Sequence, residues 1–92
     1  MAKSIMQDEK ECYLTGSKEN LHKHHIFYGP NRQNSEKYGC WVWLRADWHN
    51  MSDYGVHFDR KLDLSIRREC QIEFEKRYGH EKFMEVFGRN YL

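Results

Sequence analysis

The chain lacks the cysteine pairs that commonly stabilise very small domains. Its 92 residues include three cysteines, Cys12, Cys40 and Cys70, which lie far apart and form no CxxC pair. An odd number of widely spaced cysteines indicates neither a disulfide framework nor a zinc ribbon. Free thiols are typical of proteins in a reducing cytosol.

The sequence also lacks a long apolar run and an excess of charge of one sign. Because it contains neither a signal-peptide core nor a membrane-length segment, we expect a soluble, cytoplasmic protein with no membrane partner. Lys and Arg number 15 against 14 Asp and Glu, a net charge of +1. Whole-chain attraction to phosphate is therefore weak, so any nucleic-acid-binding function must depend on locally placed charge.

Aromatic residues are plentiful, at 15% of the chain. Their large side chains make a compact core feasible in a chain that has room for one domain only. We expect a flexible N-terminus over residues 1–11 and a single domain over residues 12–92. Within it, residues 12–58 form the functional core and residues 59–88 form C-terminal helices.

The apolar pattern predicts an α+β fold. Short strands are expected over residues 12–14, 21–27 and 40–44, the last of them buried. Its Trp41 and Trp43 are expected to pack in the core, with a platform for stacking unpaired bases as the alternative. Helical segments are expected over residues 35–38, 46–51 (broken at 53–55), 60–78 and 81–87. Asp59 is expected to cap the long helix, and Gly39, Gly79 and Gly88 to end their helices.

Five of the six histidines, His22, His24, His25, His49 and His57, lie within residues 22–57. Histidine is the commonest metal ligand, so a dense group of histidines indicates a metal site. Side chains alternate between the two faces of a strand. Two adjacent histidines at a strand end can therefore serve different roles, one binding a metal and its neighbour addressing a substrate.

These residues resemble the HNH endonuclease motif: the doublet His24-His25, a turn-rich loop with Asn31 and Asn34, an apolar strand, and His49 on a helix. Residues 35–39 and 55–58 further resemble small HNH-like proteins of bacteriophages and prophages. The resemblance implies a ββα-metal (His-Me finger) core, in which two antiparallel strands and a helix surround one divalent metal ion. It also implies metal-dependent hydrolysis of DNA phosphodiester bonds.

The resemblance assigns roles to four of the six histidines. His24 and His49 would be metal ligands, and His25 would be the general base that activates water for attack on the phosphodiester. His57 is the candidate third ligand, which requires the chain to bend near Gly55. An all-imidazole ligand set favours Zn, Ni, Co or Mn over Mg, which prefers oxygen ligands.

Other predicted site residues flank these histidines. The family's middle Asn pins the loop by hydrogen bonds, and either Asn34 or Asn31 fits this catalytic role. Lys23 and Arg32 are the expected phosphate contacts. Cutting both DNA strands would require a homodimer or two successive nicks.

The chain departs from the family in one respect and leaves other functions open. Many relatives carry two CxxC pairs that bind a structural zinc, whereas only Cys12 remains here. We expect Cys12 to be a buried thiol, and we expect the packing of tryptophans to stabilise the domain in place of the structural zinc. The alternatives to an enzyme are a non-catalytic, metal-stabilised nucleic-acid-binding module and a phage protein-interaction module whose aromatic surface contacts a phage or host protein.

Overall fold

Two antiparallel strands and three α-helices make up the fold, which confirms the predicted α+β class. The computed structural model describes residues 2–51 and 55–92. The elements run in the order β1 (Leu21–His25), α1 (Arg32–Tyr38), β2 (Trp41–Arg45), α2 (Arg60–Tyr78) and α3 (His80–Phe87). A 3-10 turn over Gly29–Asn31 precedes α1, and a π-helical turn over Asp47–Met51 follows β2. In the described ranges, no helix has both the length and the apolar character needed to cross a membrane.

The two strands form a small sheet with distinct faces. Their register pairs His24 with Val42 and His25 with Trp41. Val42, His24 and Leu44 are buried on the inner face, whereas Trp41 and Trp43 are half-buried on the outer face. The prediction that both tryptophans belong to the core is therefore wrong, because side-chain alternation in a five-residue strand sends every second residue away from it.

The core lies between the inner sheet face and the C-terminal helices. Ile66, Cys70 and Phe74 form the buried stripe of α2 and face Phe83 and Phe87 of α3. Burying an apolar side chain of this size contributes about 1.5–3 kcal/mol each. Tyr78, one turn beyond Phe74 at the end of this stripe, is 48% exposed.

Helix boundaries follow local capping signals. The Asp59 carboxylate accepts a hydrogen bond from the Leu62 N–H at 3.1 Å, so Asp59 caps α2 as predicted. Helix α1 is longer than the predicted single turn because the 3-10 turn leads directly into it. It ends at Gly39, whose φ is +72° and where a side chain would collide with the Lys3 carbonyl. A glycine is therefore required there.

The segment before β1 differs from the prediction. The expected strand over residues 12–14 is wrong, because the Gly16 N–H donates to the Cys12 carbonyl at 2.8 Å and closes a turn. Cys12 itself is buried in the core, as predicted for the free thiol.

Part of the expected flexible N-terminus, residues 1–11, contacts β2. The Ile5 N–H donates to the Gly39 carbonyl at 2.9 Å, and the Trp43 N–H donates to the Gln7 side chain at 2.7 Å. The Ser4 hydroxyl donates to the Trp41 carbonyl at 2.6 Å. These bonds satisfy polar groups along the strand edge that does not pair with β1. The packed domain thus begins before residue 12.

Candidate metal centre

His24 is the most buried polar ring of the site. It lies on the inner face of β1, 1% exposed, and its Nε2 atom has no hydrogen-bond partner. An unsatisfied buried polar atom costs roughly 1–3 kcal/mol. The fold therefore retains a buried nitrogen that would be stabilised by an electrophile.

His49 and His57 approach this ring from the chain that follows β2. The predicted short helix over residues 46–51 is a π-helical turn that carries His49. Of its predicted break at 53–55, residues 53 and 54 lie outside the described residues. Turns of this type insert an extra residue and often occur at functional sites.

The predicted bend at Gly55 is confirmed. A Cβ atom there would lie 3.0 Å from the His49 carbonyl oxygen, so glycine is favoured where the chain returns this closely. The Val56 N–H donates to the Trp48 carbonyl at 2.7 Å, and the His57 N–H donates to the His49 carbonyl at 3.2 Å. These two bonds place the His57 ring beside the His49 ring.

The three predicted ligands come together. One ring nitrogen from each of His24, His49 and His57 lies within 4.8 Å of the other two, and we call this set the histidine triad. The Nε2 atoms of His49 and His57 are 2.9 Å apart. His24 is buried, His49 half-buried and His57 exposed, so the triad opens towards solvent on one side. This arrangement can hold a metal ion.

The ionisation of His24 and His49 suits metal binding. Burial, together with the charges of the nearby His49 and His57, lowers the pKa of His24 to about 3. Burial, followed by the charges of His57 and His22, lowers the pKa of His49 to about 4. Both rings are therefore neutral at pH 7, which is the form that binds metals.

His22 contacts the triad from outside. Its Nδ1 atom lies 3.1 Å from Nδ1 of His49, on the opposite side of that ring from His57. A ligating histidine usually hydrogen-bonds through its second nitrogen, which sets its tautomer and orientation. His22 is therefore placed to orient His49, a role that the sequence did not reveal.

His25 makes a different set of contacts from His24. Its Nε2 atom lies 3.2 Å from Oε1 of Glu36 on α1, and Lys23 Nζ lies 2.9 Å from both Glu36 oxygens. The Lys23 hydrogen bond holds the pKa of Glu36 below its usual value, and the His25 contact adds to this. Sequence reasoning missed Glu36, although it is the sole acidic residue between the histidine doublet and β2.

Six of the seven predicted site residues line one open cavity of about 470 Å³, together with Tyr28 and Glu36. The six are Lys23, His24, His25, Arg32, His49 and His57. The seventh, Asn34, donates to the Val86 carbonyl at 3.2 Å, and the alternative Asn31 donates to the Phe87 carbonyl at 3.4 Å. Both amides thus fasten the start of α1 to the end of α3 and do not line this cavity.

Comparison with known proteins leaves the family open. No family model matches the chain, and neither a curated protein nor a solved structure is significantly similar to it. The chemistry of this centre must therefore be inferred from the residues that form it.

Proposed function

We propose that this protein is a metal-dependent HNH-type endonuclease that hydrolyses DNA phosphodiester bonds. The observation that carries the proposal is one cavity holding the histidine triad beside a histidine–carboxylate pair. Two antiparallel strands followed by a helical turn, with His24 on the first strand and His49 on the turn, also agree with a ββα-metal core.

The residues of the triad fit a divalent metal ion. Three imidazole nitrogens form a donor set that favours Zn, Mn, Ni or Co over Mg. The unpartnered Nε2 of His24 would lose its desolvation penalty if it bound a cation. Three protein ligands leave positions for other groups, as in catalytic sites. When bound, the metal would act as a Lewis acid on the phosphate and stabilise the leaving oxygen.

His25 would serve as the general base. A carboxylate only accepts hydrogen bonds, so Glu36 selects the His25 tautomer that carries its proton on Nε2. The lone pair then remains on Nδ1, which can take a proton from an attacking water. Lys23 keeps Glu36 ionised, so Glu36 holds the tautomer without competing for that proton.

Arg32 is the better of the two predicted phosphate contacts. It lines the cavity, and guanidinium groups bind phosphate oxygens in a bidentate manner. Lys23 is already bound to Glu36 and lies 4.2 Å from the Trp41 ring centroid. We therefore assign Lys23 first to the support of His25 and Arg32 to the substrate.

The site bears differently on the two other candidate functions. A metal-stabilised nucleic-acid-binding module would use the same triad without hydrolysis, but the His25–Glu36 pair has no purpose in a purely structural site. A protein-interaction module is favoured by the half-buried tryptophans on the outer sheet face. Neither alternative accounts for both the histidine triad and the His25–Glu36 pair.

The test is plasmid nicking by metal-stripped protein to which Zn²⁺, Mn²⁺, Ni²⁺ or Mg²⁺ is added. His25→Ala should lower the nicking rate at least about 100-fold, because it removes the general base. Metal affinity, measured by titration calorimetry, should remain. Glu36→Gln should have a smaller effect on rate. His80→Ala is the matched control, since His80 lies on the exposed contact with Glu75.

If His25→Ala still nicks the plasmid, another residue must be the general base. If the protein binds metal stoichiometrically but does not nick DNA, the nuclease proposal is rejected in favour of the non-catalytic binding module. A chain that binds none of the four metals would overturn both.

A further inference from the structure

The outer face of the sheet carries a second depression that the metal centre does not use. It is a groove of about 840 Å³ between the N-terminal segment and β2, with Trp41 and Trp43 in its wall. We call it the tryptophan groove. Because the core lies on the opposite face of β2, packing of the core does not require these two rings.

The two rings present aromatic surface to cations. Their centroids are 5.6 Å apart at an interplanar angle of 84°. Lys10 Nζ lies 4.5 Å from the Trp43 centroid, and Lys23 Nζ lies 4.2 Å from the Trp41 centroid. Half-buried rings with flexible lysines above them can exchange the lysine contact for a stacked base.

The groove is positively charged although the chain is nearly neutral. The basic side chains that line it are Lys3, Lys10, Lys23 and Arg77, and the acidic ones are Asp8 and Glu9; without Lys23, whose charge Glu36 compensates, the local balance is +1. Lys23 is paired with Glu36, whereas the other three cations form no ion pair among the residues that the structure describes. This local charge favours an anionic partner.

The groove is continuous with the metal centre. Lys23 lines both the tryptophan groove and the cavity of the histidines. His25, the proposed base, lies directly opposite Trp41 in the strand register, so both side chains project from the same sheet face. A polynucleotide with one phosphate in the cavity would therefore continue across the tryptophans.

We propose that the tryptophan groove binds single-stranded nucleic acid. Unpaired bases stack on Trp43 and Trp41, while Lys3, Lys10 and Arg77 contact the backbone. A duplex cannot offer its base faces to these rings, so the groove selects unpaired strands. The inference deepens the proposed nuclease function by naming its substrate class, and it rests on that function for the role of the cavity.

Fluorescence anisotropy on the full, metal-free chain tests this binding separately from cleavage. The probes are a labelled thymidine oligonucleotide of about ten nucleotides, its uridine counterpart, and a duplex of the same length. The thymidine strand should bind more tightly than the duplex. Trp43→Ala should weaken this binding about tenfold, within the range for loss of one stacked base.

Two further variants separate stacking from folding and charge. Trp43→Leu keeps an apolar side chain and should weaken binding similarly, with an unchanged circular dichroism spectrum. Lys10→Gln should reduce the salt dependence of binding by about one charge. Phe58→Ala is the matched control, because Phe58 is 65% exposed and lines neither the groove nor the cavity.

Comparison of the thymidine and uridine oligonucleotides shows whether the groove prefers DNA or RNA. Tight binding of either one supports the proposal that the groove binds single strands. Equal affinity for duplex and single strand, or a folded Trp43→Leu variant with unchanged affinity, would overturn it. So would a failure to bind any probe, even if the protein nicks plasmid when metal is added. Conversely, groove binding without metal-dependent cleavage of either the plasmid or the bound single strand would reject the nuclease alone.

Discussion

Two clusters of buried polar side chains lie side by side, and they differ in how their charges are compensated. In the first, Asp63 is 3% exposed, and its Oδ2 lies 3.3 Å from Arg67 Nε and 3.2 Å from the Tyr28 hydroxyl. In the second, the histidine triad brings together three bases, and the buried Nε2 of His24 has no partner. In the first cluster, the carboxylate and guanidinium charges balance each other. The second cluster gathers imidazole nitrogens that a cation would stabilise.

We interpret the first as a structural cluster and the second as the candidate functional cluster. The Asp63–Arg67 pair balances its own charge and needs no ligand, even though Asp63 Oδ1 and Arg67 Nε make no hydrogen bond. Three imidazoles that gather at one point are the arrangement expected of a site that can hold a metal ion. The clusters meet at Tyr28, whose ring centroid lies 5.1 Å from that of His57 and 4.6 Å from the Arg67 guanidinium carbon. The ion pair thus supports one wall of the metal centre.

The largest expected effect comes from breaking the structural cluster. Asp63→Asn removes the negative charge and leaves Arg67 largely buried without its counter-ion. We expect a loss of about 3 kcal/mol in the free energy of unfolding, measured by urea denaturation. Lys76→Gln is the control, because it removes the exposed pair with Glu73, worth at most about 1 kcal/mol. Equal losses in the two variants would contradict the distinction.

The opposite result is expected when the functional cluster is broken. His24→Leu replaces a buried, unsatisfied ring with an apolar side chain, so the free energy of unfolding of the metal-free protein should not fall. Metal affinity should fall at least about 100-fold, since one of three ligands is lost. Titration calorimetry and urea denaturation on the same preparation check both results. A destabilised variant that still binds metal would reverse the assignment.

A smaller effect should follow from a change beside the triad. His22→Ala removes the neighbour of His49 Nδ1 without removing a ligand. We expect a 10- to 100-fold loss of metal affinity, which His22→Asn should partly restore through its amide oxygen. Nitrogen NMR of the His49 ring should show a changed tautomer balance in the alanine variant only. Unchanged affinity in His22→Ala would leave His22 without a positioning role.

Local signals in the chain predicted much of the fold. The 3.6-residue spacing of Leu62, Ile66 and Cys70, with Asp59 before and Gly79 after, was sufficient for the bounds of α2. The histidine triad was predictable because its members belong to a recognisable pattern of residue types and spacing. The i, i+4 spacing of Asp63 and Arg67 is typical of an ion pair on a helix, but it does not show that the pair is buried.

Other features had no local signal. Trp41 and Trp43 occupy an apolar run, and alternation alone does not say which face of β2 covers the core. Glu36 acquires its role only because α1 brings it back to His25, eleven residues earlier in the chain. The burial of Asp63 depends on Tyr28, which is 35 residues away in sequence.

The residues alone therefore determined the α+β class, the long helix and the identity of the histidines that gather, because periodicity, capping and residue type act over a few positions. Only the tertiary structure decided which side chains are neutral, buried and unpartnered, because burial and charge depend on neighbours from distant segments. It also decided that His25, the proposed base, and the two tryptophans share one sheet face. That shared face follows from the register of β1 against β2, which no single segment encodes.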